Sequence, residues 1–269
     1  MPDEDKEERG SKLKEIARYV HSALFWFLTL VCSVAVHVFC NARALFIKDE
    51  DKKREVYRKG ARLWGSLMAR ASLVKVDISG LENIPADTNV IFTSNHQSYL
   101  DIFILLKYLP YPFKFIIMRK LFKVPVIGPH IKKSGFISLD REDRKNSIDT
   151  IHRIIGLLGK NESIVIFPEG MLTKDGSVGA FSRGASIIIQ RSRKPVVPIA
   201  IDGTFDALPK GSWKLRPSEV NVRIGKPLYF ENYYGDVNKK TSLGLAGELR
   251  GIVAGLKDSG KKEECSKSS

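Results

Sequence analysis

Cysteine is scarce in this chain: there are three, Cys32 and Cys40 inside an apolar stretch and Cys265 near the C-terminal end. That excludes a disulfide framework and agrees with a reducing compartment. Neither a Cys-x-x-Cys pair nor a His/Cys cluster occurs, so no metal site is expected. The Gly-x-x-x-x-Gly-Lys-Ser/Thr loop of nucleotide phosphoryl transfer is missing, and so is the Gly-x-Ser-x-Gly elbow of conventional serine hydrolases. Acidic residues are also in deficit, 30 against 44 Lys and Arg, for a formal charge of +14 over 269 residues. Such a balance suits nucleic acid, a membrane surface or an anionic substrate, and the placement of the charge must choose among them.

The placement favours the membrane. From Tyr19 to Ala42 there is no Asp, Glu, Lys or Arg; at about 1.5 Å per residue this run can cross a hydrocarbon core of about 30 Å. A cleaved signal peptide is the competing reading, but the charged leader is long and mixed in sign, and no small-residue cleavage site precedes Arg43. Next, Lys52 to Ala71 sets Val56, Trp64, Leu67 and Ala71 near one helical face among basic residues, a pattern that fits anionic lipid or a soluble helix packed on the domain. Residues 19–72 are therefore expected to anchor the chain on an anionic membrane surface, with no nucleic-acid partner. Positive charge flanks both ends of the apolar run, leaving a slight preference for an inner or cytoplasmic membrane with the catalytic domain on the cytoplasmic side. The charged ends, 1–18 and 259–269, are expected to be tails without structure.

The most informative stretch is Asn95-His96-Gln97-Ser98-Tyr99-Leu100-Asp101. A short β-branched run, Val90 to Thr93, precedes it, and an apolar helical run follows from Ser98. His96 then falls in a turn and Asp101 in the first helical turn, where the carboxylate can fix the imidazole tautomer and leave the other ring nitrogen free as a base. The same residues also fit a Ser-x-x-Asp capping pair with His96 as a loop residue. Further on, Ser163 to Phe167 reads as a buried strand running into Pro168-Glu169-Gly170, a strand-end carboxylate beside glycine. Between them, Gly135 to Leu139 reads as a strand followed by Arg141, suited to bidentate phosphate binding. Pro195 to Ile201 carries Val197-Pro198-Ile199.

These four segments, in this order and spacing, resemble the glycerolipid acyltransferase family, and most nearly its 1-acyl-sn-glycerol-3-phosphate (lysophosphatidate) acyltransferases. Asn95, His96 and Asp101 match the motif Asn-His-x-x-x-x-Asp, with Gln97-Ser98 as in lysophosphatidate enzymes. Gly135, Phe136 and Arg141 match the second motif, Phe167-Pro168-Glu169-Gly170 the third and Val197-Pro198-Ile199 the fourth. Lys120, Pro125, Gly128, Phe181 and Gly184 are lesser agreements, and the likeness covers residues 75 to 230. One departure concerns the acceptor: the family usually continues its third motif with Thr-Arg, whereas this chain has Met171-Leu172. Arg183, Lys174 or Arg141 can supply the cation that is missing there.

The resemblance implies direct acyl transfer. His96, oriented by Asp101, takes the proton of a lysolipid hydroxyl as its oxygen attacks the thioester of acyl-coenzyme A or acyl-carrier protein, and no cofactor is needed. The expected catalytic pair is His96 and Asp101; the expected substrate-binding residues are Arg141, Glu169, Gly170, Gly135, Lys120 and Arg183. Glu169 is expected to organise basic residues or backbone N–H groups, since a carboxylate would repel a phosphate. Basic residues of the linker, among them Lys114, Arg119 and Lys123, suit either donor's phosphates or lipid head groups. The rival readings are another lysolipid or glycerol 3-phosphate as acceptor, and a lipid esterase that turns the same pair on water. Alternation of short apolar strands with helical runs predicts an α/β domain at 73–258, its mixed, largely parallel sheet covered by helices.

Overall fold

The computed structural model describes residues 2–110, 112–140 and 142–267. Its elements in chain order are α1 (Pro2–Leu45), α2 (Glu50–Ala71), β1 (Lys75–Ser79), β2 (Ile91–Ser94), α3 (Leu100–Tyr108), β3 (Phe113–Met118), α4 (Ile127–Lys133), β4 (Ile137–Leu139) and α5 (Arg144–Gly159). They continue with β5 (Ser163–Ile166), α6 (Arg183–Ser192), β6 (Val196–Asp202), α7 (Thr204–Ala207), β7 (Glu219–Ile224) and α8 (Lys239–Lys267). The seven strands form one sheet in the order β1-β7-β6-β2-β5-β3-β4. Every neighbouring pair is parallel except β6 with β7, giving the mixed, mostly parallel α/β sheet that the alternation implies.

The central strands β2 and β5 are buried along their whole length, which is why they read as continuous apolar runs without polar alternation. Successive side chains point to opposite faces. Phe92, Val165 and Val197 enter a core shared with Phe25, Met68 and Phe103 of α1, α2 and α3. Ile91, Ile164 and Val196 enter a second core with Ile154, Ile189 and Leu249 of α5, α6 and α8. Helices thus cover both faces, and β2 lies between β5 and β6, so three adjacent parallel strands end at the same edge. Ligands of open α/β sheets gather at that carboxyl edge.

The helical pair at the N-terminus packs on the domain. α2 buries Tyr57, Ala61, Met68 and Ala69, so its apolar face meets α1 and α3, while Lys52, Arg54, Lys59, Arg62 and Arg70 are exposed. Around α1, Ser22, Phe25, Val36 and Cys40 are buried, whereas Val20, Leu24, Phe27, Val31, Val34 and Val38 are exposed at helical spacing. By length and composition α1 is, among the described residues, the one helix able to cross a membrane. Contrary to expectation, Pro2 to Arg18 continue α1 and Ser259 to Lys267 continue α8. Growing an existing helix by a turn costs far less than nucleating one, and good helix formers such as Glu and Lys dominate both segments.

Two short helices escaped the periodicity, α4 and α7. α7 begins at Gly203, whose φ of 89° is the left-handed value that glycine accommodates freely. A Cβ there would run into the carbonyl oxygen of Glu219 on β7. We therefore expect Gly203→Ala to lower the stability of the domain by about 2 to 4 kcal/mol; a thermal unfolding midpoint equal to that of the wild type would refute this. Beyond α7 the chain runs as a strap against α1: Leu215 N–H donates to Ser22 Oγ at 2.9 Å and Trp26 Nε1 donates to the Trp213 carbonyl at 2.7 Å. Tyr19 completes the latch, its ring 5.8 Å from that of Trp213 and its hydroxyl bonded by Lys214.

Candidate active site

The site begins where β2 stops. Asn95 continues the strand pairing with its side chain: Nδ2 donates to the Ile201 carbonyl and Oδ1 accepts the Ile201 N–H, both at 2.8 Å. This extra rung on β6 lets the backbone turn away while staying tied to the sheet. His96 follows, its N–H donating to Glu169 Oε1 at 3.0 Å and its carbonyl accepting from Thr173 N at 2.9 Å. Its ring stacks on Phe167, centroids 3.9 Å apart and planes 14° from parallel. Backbone and ring are thus both immobilised.

Asp101, with 0% of its side chain exposed, holds the imidazole from below. Its Oδ2 accepts three N–H groups: His96 Nδ1 at 2.8 Å, Gln97 N at 2.7 Å and Ser98 N at 2.9 Å. Its Oδ1 accepts the Thr204 hydroxyl at 2.6 Å. A carboxylate only accepts, so Nδ1 carries the ring hydrogen and Nε2 keeps a lone pair. The capping reading and the orienting reading are therefore one structure, because the same carboxylate caps the turn and aligns the ring. Ser98 Oγ accepts from Leu100 N at 3.3 Å and donates to the Leu208 carbonyl at 2.8 Å, while Tyr99 occupies the N-cap position of α3.

Glu169 faces backbone donors: besides His96 N, its Oε2 accepts Gly179 N–H at 3.0 Å. Burial pushes its carboxyl above the usual carboxylate range, and the two N–H groups pull the other way. A Cβ at residue 179 would stand 2.7 Å from Oε2, so the loop can approach this closely only as glycine.

His96 opens on a cavity of about 420 Å³, lined also by Phe167, Gly170, Met171, Ser182, Gly184 and Lys210. A second cavity of about 260 Å³ lies between α1, α2 and α3, walled by Trp26, Trp64, Phe103 and His130. Burial pushes the His130 imidazole down to about 4, so this wall is uncharged at neutral pH. Both cavities share Tyr99, Ile102, Phe115, Ile117 and Leu121, so they abut.

The structure brings His96, Asp101, Glu169 and Gly170 together. Arg183 opens α6 with its side chain exposed, between the lining residues Ser182 and Gly184. Lys120 is exposed and pairs with Glu142 at 3.6 Å, and Gly135, at φ 77°, turns the chain after α4; neither lines the two cavities. Arg141 lies outside the described residues. Met171 and Leu172, where a cation is absent from the third motif, line the His96 cavity with apolar side chains. Gly179, Thr204 and Lys210 were not singled out from the sequence, and Asn95 was matched to a motif without its bond to Ile201. Gly-Thr at a strand end was the one signal for Thr204, and it marks many ordinary turns. Among the described residues no group of three or more His, Cys, Asp or Glu could hold a metal ion.

Residues 75–202 match the acyltransferase family model. A chloroplastic 1-acyl-sn-glycerol-3-phosphate acyltransferase of Brassica napus is 40% identical over 179 residues, 66% of this chain and 52% of that one. The 1-acyl-sn-glycerol-3-phosphate acyltransferase of Saccharomyces cerevisiae is 31% identical over 179 residues, 65% of this chain and 59% of that one. The crystal structure of the 1-acyl-sn-glycerophosphate (LPA) acyltransferase PlsC from Thermotoga maritima superposes with a TM-score of 0.75 at 27% identity, covering 89% of this chain and 94% of that one. The chain spans about half the length of the plant relatives it matches, 52% and 50%. With the first and third motifs meeting at one sheet edge and this likeness in sequence and fold, the chain carries an acyltransferase-family domain at residues 75–202.

Proposed function

We propose that this protein transfers a fatty acyl group from a thioester, acyl-coenzyme A or acyl-carrier protein, to the sn-2 hydroxyl of 1-acyl-sn-glycerol-3-phosphate, forming phosphatidic acid. One observation carries the reading: an imidazole whose Nδ1 is held by a buried carboxylate lines a cavity that abuts an apolar one. His96 Nε2 takes the hydroxyl proton as the oxygen attacks the thioester carbon; the C–S bond then breaks and the departing sulfur takes that proton from the imidazolium. Among the described residues no Ser or Cys is hydrogen-bonded to Nε2, which favours direct transfer over an acyl-enzyme. The apolar cavity suits a fatty acyl chain. Lys210 at the His96 cavity, together with Arg141 and Arg183, is proposed to meet the acceptor's phosphate in place of the cation that Met171-Leu172 lacks.

Membrane attachment belongs to the same proposal. The outward face of α1, from Val20 to Val38, is apolar and unpartnered, while its inward face packs on the domain. A helix so divided suits lying in one leaflet with the domain held at the surface, the cytoplasmic side being the proposed one.

The test is acyl transfer by detergent-purified protein, offering lysophosphatidate with labelled acyl-coenzyme A or acyl-carrier protein. Phosphatidate is the expected product. Acylation of a different lysolipid or of glycerol 3-phosphate alone would replace the acceptor, and release of free fatty acid alone would replace the transferase by an esterase.

A further inference from the structure

Thr204 has no exposed surface and stands on α7, a four-residue helix with no place in the acyl-transfer chemistry above. A hydroxyl carries one hydrogen, and two acceptors are within reach: Asp101 Oδ1 at 2.6 Å and Gln97 Oε1 at 3.3 Å. The shorter contact and the anionic acceptor decide for Asp101. The division of labour on that carboxylate is uneven. Oδ2 is shared by three N–H groups, whereas the described hydrogen bonds give Oδ1 one donor, Thr204. The three N–H groups hold one end of the carboxylate and the Thr204 hydroxyl holds the other, so together they fix the plane in which it meets the imidazole.

We propose that Thr204 is a positioning residue of the acyl-transfer site, fixing the plane of the Asp101 carboxylate so that its other oxygen stays in line with His96 Nδ1. The topology gives this a frame. Three adjacent parallel strands each deliver one member to the same edge: β5 delivers Glu169, β2 delivers His96 and β6 delivers Thr204. Glu169 holds the His96 backbone and Thr204 holds the partner of the His96 ring, so the imidazole is braced from both neighbouring strands. The titratable groups that face Asp101 in this arrangement are His96 and, beyond it, Glu169. Without the hydroxyl, a buried Oδ1 loses its donor and more of the carboxylate charge falls on the imidazole.

Full-length protein in detergent with Thr204→Val, Thr204→Ser and Thr204→Ala tests this. Ring-nitrogen NMR of histidine-labelled protein reads the His96 site directly, His96→Ala assigning its signals among the five histidines. In Thr204→Val the Nδ1 resonance should leave its wild-type position, and in Thr204→Ser it should keep it. With lysophosphatidate and acyl-coenzyme A, Thr204→Val should lose about tenfold in kcat at unchanged acceptor KM, with the ascending limb of its pH profile moved to higher pH. Thr204→Ser should stay within about twofold of the wild type. Wild-type resonance, kcat and pH limb in Thr204→Val would overturn the proposal. Should that variant not fold, Thr204→Ala carries the same readout, and unmoved Nδ1 there overturns it equally. The inference rests on the acyl-transfer reading for its kinetic half alone; if the wild type turns over no thioester, that reading fails while the NMR comparison still decides the part played by Thr204.

Discussion

His96→Ala is expected to lower kcat for acyl transfer by about 10² to 10⁴-fold, the usual worth of a positioned general base, or about 3 to 5 kcal/mol of transition-state stabilisation. The loss should fall on kcat with little change in KM for either substrate, because in the proposed reaction the ring meets the reacting hydroxyl and the other residues lining the cavities stay in place. Stability should change modestly. The ring is 13% exposed and contributes one hydrogen bond to Asp101 and one stacked face to Phe167, while the other three donors to the carboxylate persist. Steady-state kinetics beside a thermal melt separate the two effects. A variant that melts like the wild type and keeps a tenth of its kcat would remove His96 from the chemistry.

The second large effect separates the charge of Asp101 from its scaffolding. In Asp101→Asn the amide oxygen can take the Oδ2 place and accept all three N–H groups. The NH₂ then faces Thr204, whose hydrogen can swing to Gln97 Oε1, 3.3 Å away. The hydrogen-bond pattern survives, so stability should stay within about 1 kcal/mol of the wild type. What goes is the negative charge that, in the proposed reaction, stabilises the imidazolium formed as the hydroxyl is deprotonated. A kcat lower by about 10² to 10³-fold is expected for that loss. Asp101→Ala should behave differently, stranding His96 Nδ1, Gln97 N and Ser98 N in a buried site, at about 3 to 5 kcal/mol of stability. Paired melts and turnover numbers decide: if Asp101→Asn keeps most of the wild-type kcat, the carboxylate acts as a cap and no more.

Much of this site was legible because its signals are local. His96 and Asp101 are five residues apart and meet across a single turn; Glu169 stands at the end of an apolar run whose breakers, Pro168 and Gly170, mark the edge of the sheet. What escaped acts over long separations: the partner of Asn95, which itself stood in the first motif, and Thr204 altogether. Asn95 bonds Ile201 across 106 positions and Thr204 bonds Asp101 across 103, and hydrophobic periodicity carries no information about which strands become neighbours. Length hid others, since the four residues of α7 amount to about one turn, too little for a 3.6-residue pattern to repeat. The apolar run of α1 was visible, but its two faces were not. Ser22, Phe25 and Cys40 turn inward and Leu24, Phe27 and Val38 outward, and a helix apolar on all sides has no moment to tell them apart.

The strap that latches onto α1 has a consequence for the order in which the molecule is made. Ser22 and Leu215 are 193 positions apart, and Trp26 and Trp213 are 187 apart. At about 5 to 20 residues per second on the ribosome, the partner of Ser22 is polymerised about 10 to 40 s after Ser22 itself. During that interval the Ser22–Trp26 stretch of α1 has no native cover from the strap. This stretch of α1 therefore waits for its cover long after α2 and α3 can pack beside it, and α7, from which the strap runs, is synthesised only shortly before that closure.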